Sequence, residues 1–260
     1  MKEGTSFRDT GNKEGRTLVF IHGLGLNKYV WQWQLPVLEK TFRLISYDLW
    51  GHGLSADPIE EPSLSVFVAQ LNDLMDELGV GRATLVGFSL GGMIARRAAQ
   101  DMPERVERLI LLNTAHKRTP EAQSAIEARA MQAKSEGSKA TVEAALLRWF
   151  TDRYRAHNSE KMDMVRRWVL ANKKEIYHKN YMVLAKGVDE IVAPSRPITC
   201  PALVLTADED YGNGPEMSKA IAKEIEGARL VILRGLRHMA LMEDPEAVNQ
   251  SILDFLQNSV

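Results

Sequence analysis

One stretch limits what this chain can fold into more than any other. Residues Thr84 to Asp101 read T-L-V-G-F-S-L-G-G-M-I-A-R-R-A-A-Q-D. Leu85 and Val86 open it as an apolar strand, and Leu90, Met93, Ile94 and Ala98 continue it on one face of a helix. Only Gly87-Phe88-Ser89-Leu90-Gly91 lies between the two, so strand, tight turn and helix must follow one another without a loop. Ser89 sits in that turn. Its backbone is expected to be strained and its hydroxyl held clear of the sheet. Glycine is expected at 87 and 91 because a Cβ there would strike the neighbouring strand or helix. The N–H groups of the following helix should face the space beside the hydroxyl.

A strand that feeds straight into a helix needs parallel neighbours, and the chain supplies them. Thr17 to Ile21, Phe42 to Tyr47, Val106 to Leu112 and Ala202 to Thr206 are solid apolar runs, as expected of strands buried on both faces. Arg229 to Leu233 is a further strand, and residues 5–9 a short one. Helices are predicted at Trp31–Lys40, Ser63–Leu78, Pro215–Ile225 and Pro245–Leu256. This alternation predicts an α/β fold, a mostly parallel sheet flanked by helices. In such sheets ligands bind beyond the carboxyl ends of strands, where His22, Asp48 and Ser89 all fall.

Between His116 and Arg196 the rhythm changes. Four amphipathic helices are predicted there, at about 120–136, 139–150, 160–172 and 174–187, with Thr119, Ser138 and Ser159 as caps. This gives a sheet domain of residues 1–115 and 197–260 and a helical cap of residues 116–196. The cap segment holds 16 Lys and Arg against 10 Asp and Glu, whereas the whole chain has a formal charge of −1. Solvated helix faces account for much of that excess. It also suggests an anionic substrate. Of the cap's large residues, most are expected to pack, and Trp149, Phe150, Trp168 and Tyr181 to reach a substrate pocket.

The near-neutral charge gives no reason to expect nucleic acid as a partner, and no apolar run has the length of a membrane span. The stretch Met1 to Ser6 lacks a signal-peptide core. The single cysteine, Cys200, stands before Pro201 as a small buried residue, and the expected compartment is a reducing cytoplasm. The sequence leaves a homodimer open.

Three groups with complementary chemistry follow strands in the order Ser89, Asp210, His238. A serine hydroxyl attacks carbon only once a base takes its proton, and imidazole does that near neutrality. A carboxylate fixes the imidazole tautomer and stabilises its charged form. The N–H groups of Leu24 and Leu90 are placed to hold a developing oxyanion. No metal or organic cofactor is required.

These residues, with His22-Gly23-Leu24-Gly25, Asp48-Leu49-Trp50-Gly51-His52-Gly53-Leu54-Ser55 and Gly235-Leu236-Arg237-His238, resemble an α/β-hydrolase of the small esterase and lactonase type. Within that group the chain is most similar to 3-oxoadipate enol-lactonases, partly through Leu147-Arg148-Trp149-Phe150-Thr151. The resemblance implies Ser89 as nucleophile, His238 as base and Asp210 as its orienter, with ester or lactone hydrolysis through an acyl-enzyme. It implies scaffold roles for His22, Asp48 and His52. Where the family has glycine three residues before the acid, this chain has Ala207, and Asp208 competes for the acid role. Carbon–carbon bond hydrolases share the same three groups, and a ligand receptor on this fold is the non-catalytic alternative.

Overall fold

The computed structural model describes residues 4–258, so Met1 to Glu3, on which part of the signal-peptide reading falls, lie outside the described residues. Seven strands form one sheet: β1 (Phe7–Gly11), β2 (Thr17–Ile21), β3 (Arg43–Tyr47), β4 (Ala83–Phe88), β5 (Val106–Leu112), β6 (Ala202–Ala207) and β7 (Arg229–Leu233). Their order across the sheet is β1-β3-β2-β4-β5-β6-β7. Every neighbouring pair is parallel except β1 with β3. β4 and β6 are buried along their whole length, which requires cover on both faces.

Helices provide that cover. α1 (Leu35–Leu38) follows β2, α2 (Leu64–Glu77) follows β3 and α3 (Leu90–Asp101) follows β4. Ser63 caps α2 by accepting from the Val66 N–H, and Leu64, Phe67, Leu71 and Leu74 form its buried face. The predicted helix from Trp31 to Lys40 is instead a 3-10 turn, Lys28–Trp31, and the single-turn α1. Pro36 lies in the first turn of α1, where its missing N–H costs nothing, so the helix starts there and cannot run on from Trp31.

Five helices separate β5 from β6: α4 (Pro120–Glu136), α5 (Val142–Trp149), α6 (Asp152–His157), α7 (Ser159–Leu170) and α8 (Lys174–Lys186). The sequence predicted four. α6 is a short extra helix that Thr151 starts, its side chain accepting from the Tyr154 N–H. Thr119 caps α4 as expected. Ser138 sits inside a 3-10 turn and Ser159 is the first residue of α7, so neither is a cap. After β6 come α9 (Pro215–Glu224), α10 (Ala240–Glu243) and α11 (Pro245–Asn258). Among the described residues no helix is long and apolar enough to cross a membrane.

Candidate active site

Ser89 joins β4 to α3 with φ +53° and ψ −113°, a conformation that costs on the order of 1–3 kcal/mol for a side chain of this kind. Neighbours hold it there. Its N–H donates to the Leu112 carbonyl (2.9 Å), and its carbonyl accepts from Thr114 Oγ1 (2.8 Å). The glycines act as expected. A Cβ on Gly87 would stand 2.4 Å from the Gly91 oxygen, and one on Gly91 would stand 2.0 Å from the Ile21 oxygen on β2.

Asp210 follows β6 and His238 follows β7. Those strands are sheet neighbours, which is why loops 28 residues apart in sequence meet. Asp210 Oδ2 lies 2.8 Å from His238 Nδ1. Asn113 Nδ2 donates to the same oxygen (2.9 Å), and the N–H groups of Gly212 and Asn213 donate to Oδ1 (3.0 Å each). Burial alone would raise the Asp210 pKa, but His238 and these donors outweigh it and hold the carboxyl below the usual range. The ionised carboxylate can only accept, so Nδ1 of His238 carries a proton and the neutral ring leaves Nε2 free to take another. The ring is flanked by Phe88, at 4.9 Å between centroids, and Trp149, at 6.1 Å. Among the described residues the Ser89 hydroxyl has no hydrogen-bonded partner. Such contacts are often long before substrate arrives.

Asp208, the competing acid, is occupied elsewhere. Its Oδ1 accepts from the Gly235 N–H (2.8 Å), which braces the histidine loop. Asn113 and Asn213 are the functional residues that sequence reasoning missed. Asn113 sits at φ +48°, a conformation asparagine tolerates better than most residues, and its position just past a buried strand was the available signal.

The loop carrying Leu24 is fixed by two buried histidines. The Leu49 N–H donates to His22 Nε2 (3.0 Å), so the ring proton is on Nδ1 and donates to the Gly23 carbonyl (2.7 Å). The Gly25 N–H donates to His52 Nε2 (3.0 Å). Asp48 accepts from the Lys28 and Leu54 N–H groups and pairs with Lys28 Nζ at 2.7 Å. The N–H of Leu24 has no partner among the described residues, and that of Leu90 is the first amide of α3, with no helical carbonyl to receive it.

Burial pulls His22 down to about 4 against the raising effect of Asp48. Burial, with the neighbouring His22, pulls His52 to about 3. A free histidine titrates near 6.5. Between about pH 6.5 and pH 4 the unfolded chain therefore binds protons that the fold excludes. Stability is full above that window and falls as the pH falls through it. For His22 the full shift corresponds to about 3 kcal/mol. The thermal midpoint at pH 5 should lie at least roughly 5 °C below that at pH 7. His52→Gln, whose amide oxygen can still accept from Gly25, should flatten the slope. An equal midpoint at both pH values would contradict this account.

Ser89, Asp210 and His238 line one cavity of about 260 Å³, together with Leu24. Its roof comes from α4, α5 and α8, including Trp149, Tyr177 and Tyr181. Two expected pocket residues do not reach it. Phe150, the extended residue just after α5, is fully buried and stacks on Tyr154 at 5.4 Å. Trp168 packs against the hydrophobic core, because α7 turns Met162, Val165 and Val169 inward and does not form part of the roof. A larger open groove of about 800 Å³ lies beside Trp50 and Lys173 and contains none of the three groups.

A seven-stranded sheet of this order with a serine in the β4–α3 turn defines a class, and the sequence profile for the alpha/beta hydrolase fold matches residues 16–245. The chain belongs to the alpha/beta hydrolase family. It is 31% identical over 249 residues to the (E)-2-((N-methylformamido)methylene)succinate hydrolase of Acinetobacter baylyi, covering 95% of this chain and 92% of that protein. It is 27% identical to 3-oxoadipate enol-lactonase 2 of the same organism, over 93% of this chain and 89% of that one. The crystal structure of the enol-lactonase from Burkholderia xenovorans LB400 superposes with a TM-score of 0.89 at 30% identity, covering 98% of this chain and 96% of that one. These similarities support hydrolase activity.

Proposed function

We propose that this chain hydrolyses a small carboxylic ester or lactone by two acyl transfers. Ser89 Oγ attacks the acyl carbon as His238 Nε2 takes its proton. The N–H groups of Leu24 and Leu90 receive the oxyanion, and Asp210 holds the imidazole and offsets its charge. The acyl–oxygen bond breaks as His238 returns the proton to the leaving alkoxide. Water, deprotonated by His238, then releases the acid and regenerates Ser89. Residues 116–196 act as the cap over this reaction and residues 1–115 and 197–260 as the catalytic domain. The free, half-buried Cys200 fits work in a reducing cytoplasm.

The observation that carries the reading is the shared cavity: a serine on a strained turn, its hydroxyl without a partner among the described residues, and an aspartate-oriented imidazole line the same 260 Å³. That volume lies below the range for drug-sized ligands and favours a small acyl compound. The enol-lactonase similarity makes an enol-lactone the first lactone to try. Turnover of a panel of p-nitrophenyl esters and lactones tests the reading. Many product molecules per chain are expected. Binding without turnover across the whole panel would favour the receptor alternative.

A further inference from the structure

Three guanidinium groups line the cavity that holds Ser89. Arg118 lies just ahead of α4, Arg129 within α4 and Arg148 near the end of α5. All three come from the roof, while the serine comes from the sheet. The cavity has one carboxylate in its lining, Asp210, and that group is already engaged by His238, Asn113 and two backbone amides. Two acids of the same segment are paired elsewhere, Glu143 with Arg166 and Asp152 with Arg155 and Arg237, while Asp189 partly offsets the charge of Arg118 through space. Among the described residues, no acid stands within 4.0 Å of Arg118, Arg129 or Arg148.

Their hydrogen bonds separate their roles. Arg118 donates to the carbonyls of Leu184 and Ala185 (3.1 Å each), so it also secures the end of α8. Arg129 donates from Nε to the Tyr181 hydroxyl (3.2 Å), and among the described residues its two terminal amino groups make no hydrogen bond. Arg148 makes no hydrogen bond among the described residues. Three cations that are partly withdrawn from water and repel one another are unfavourable without a counter-ion. Burial first, and then Arg129, pulls Arg118 down to about 10 and lowers Arg148 in the same direction.

We infer that Arg129 and Arg148, supported by Arg118, form a subsite for a carboxylate carried by the substrate at its non-reacting end. The inference rests on the hydrolase reading and deepens it. The planar fork of arginine matches a carboxylate bidentately. Phosphate would meet the same fork, but the reaction itself makes carboxylates. Water adds oxygen to the acyl carbon, the bond to the alkoxide oxygen breaks, the alkoxide leaves with a proton, and the acid loses one to solvent. Each turnover thus adds one negative charge. A lactone already bearing a carboxylate becomes a single dicarboxylate, with both anionic ends in a cavity lined by three cations. Dicarboxylates should therefore bind as product analogues, and more tightly than monocarboxylates.

Calorimetric titration with glutarate tests this without relying on turnover. Wild type and Ser89→Ala should both bind glutarate, with Kd at least about 10-fold below that for butyrate. Arg148→Met should weaken glutarate binding about 10-fold or more. It should also raise the thermal midpoint slightly or leave it unchanged, because it removes repulsion and no hydrogen bond; a purely structural arginine would lower it. Arg129→Met should weaken binding likewise, and Arg148→Lys should retain part of it. For methyl hydrogen glutarate against dimethyl glutarate, the ratio of kcat/KM should exceed about 10 and fall about 10-fold in Arg148→Met. Glutarate binding unaffected by either methionine variant, or matched by inorganic phosphate at equal ionic strength, would overturn the subsite. Arginine-dependent binding with no ester turnover would overturn the hydrolase reading and leave the subsite standing.

Discussion

Ser89→Ala is expected to lower kcat for p-nitrophenyl acetate by at least about 10³-fold while leaving the fold intact. Both halves of that expectation follow from the geometry. The hydroxyl has no hydrogen-bonded partner among the described residues, so removing it deletes no structural contact. Alanine keeps the Cβ and must adopt the same φ of +53°, so the strain already present at this turn is retained and not increased. The braces on the turn, the Leu112 carbonyl and Thr114 Oγ1, bind the backbone of residue 89 and survive the substitution. Thermal midpoint and circular dichroism should match wild type. What is lost is the covalent route: a single attack by water must replace two easier steps. The backbone amides of Leu24 and Leu90 remain, so a residual rate above that in water is expected. A variant folded like wild type and turning over the ester within about tenfold of it would show that the bond is broken by some other group.

Much of this site was legible in the sequence because covalent order dictates it. A strand, a five-residue G-F-S-L-G turn and a helix leave Ser89 one place to go, and the collisions at Gly87 and Gly91 are the physical content of that motif. Asp210 and His238 were legible because each follows an apolar run, and the runs are adjacent strands. The rest depended on direction, which periodicity does not encode. Trp149 and Phe150 are neighbours at the end of one helix, yet one flanks His238 and the other stacks on Tyr154. Size marked both as candidates, and only the packing separates them. Trp168 failed for the same reason. Asn113 and Asn213 carried no motif at all, although between them they direct two donors at Asp210. The basic excess of residues 116–196 was visible as a sum, but most of it is paired or solvated, and only the fold selects Arg118, Arg129 and Arg148.

The second large effect is expected at Asp210, and it distinguishes charge from orientation. Asp210→Asn keeps the shape of the side chain and its place between four donors. It cannot keep the proton where the reaction needs it. An amide turned with its nitrogen toward His238 presents a donor, which forces Nδ1 to accept and moves the ring proton to Nε2. The nitrogen facing Ser89 then has no lone pair with which to take a proton, and kcat should fall about 10⁴-fold. With its oxygen toward the ring, the amide nitrogen would face two donors in a buried site, the N–H groups of Gly212 and Asn213, against the single Asn113 Nδ2 it meets in the other rotamer. That rotamer is therefore disfavoured. Asp208→Asn is the matched control, because an asparagine oxygen can still accept from the Gly235 N–H and the residue does not touch the imidazole. It should keep kcat within about tenfold of wild type. If the two variants exchange behaviour, with Asp208→Asn inactive and Asp210→Asn nearly normal, the acid role belongs to the loop's first carboxylate and the 2.8 Å contact to His238 is incidental to turnover.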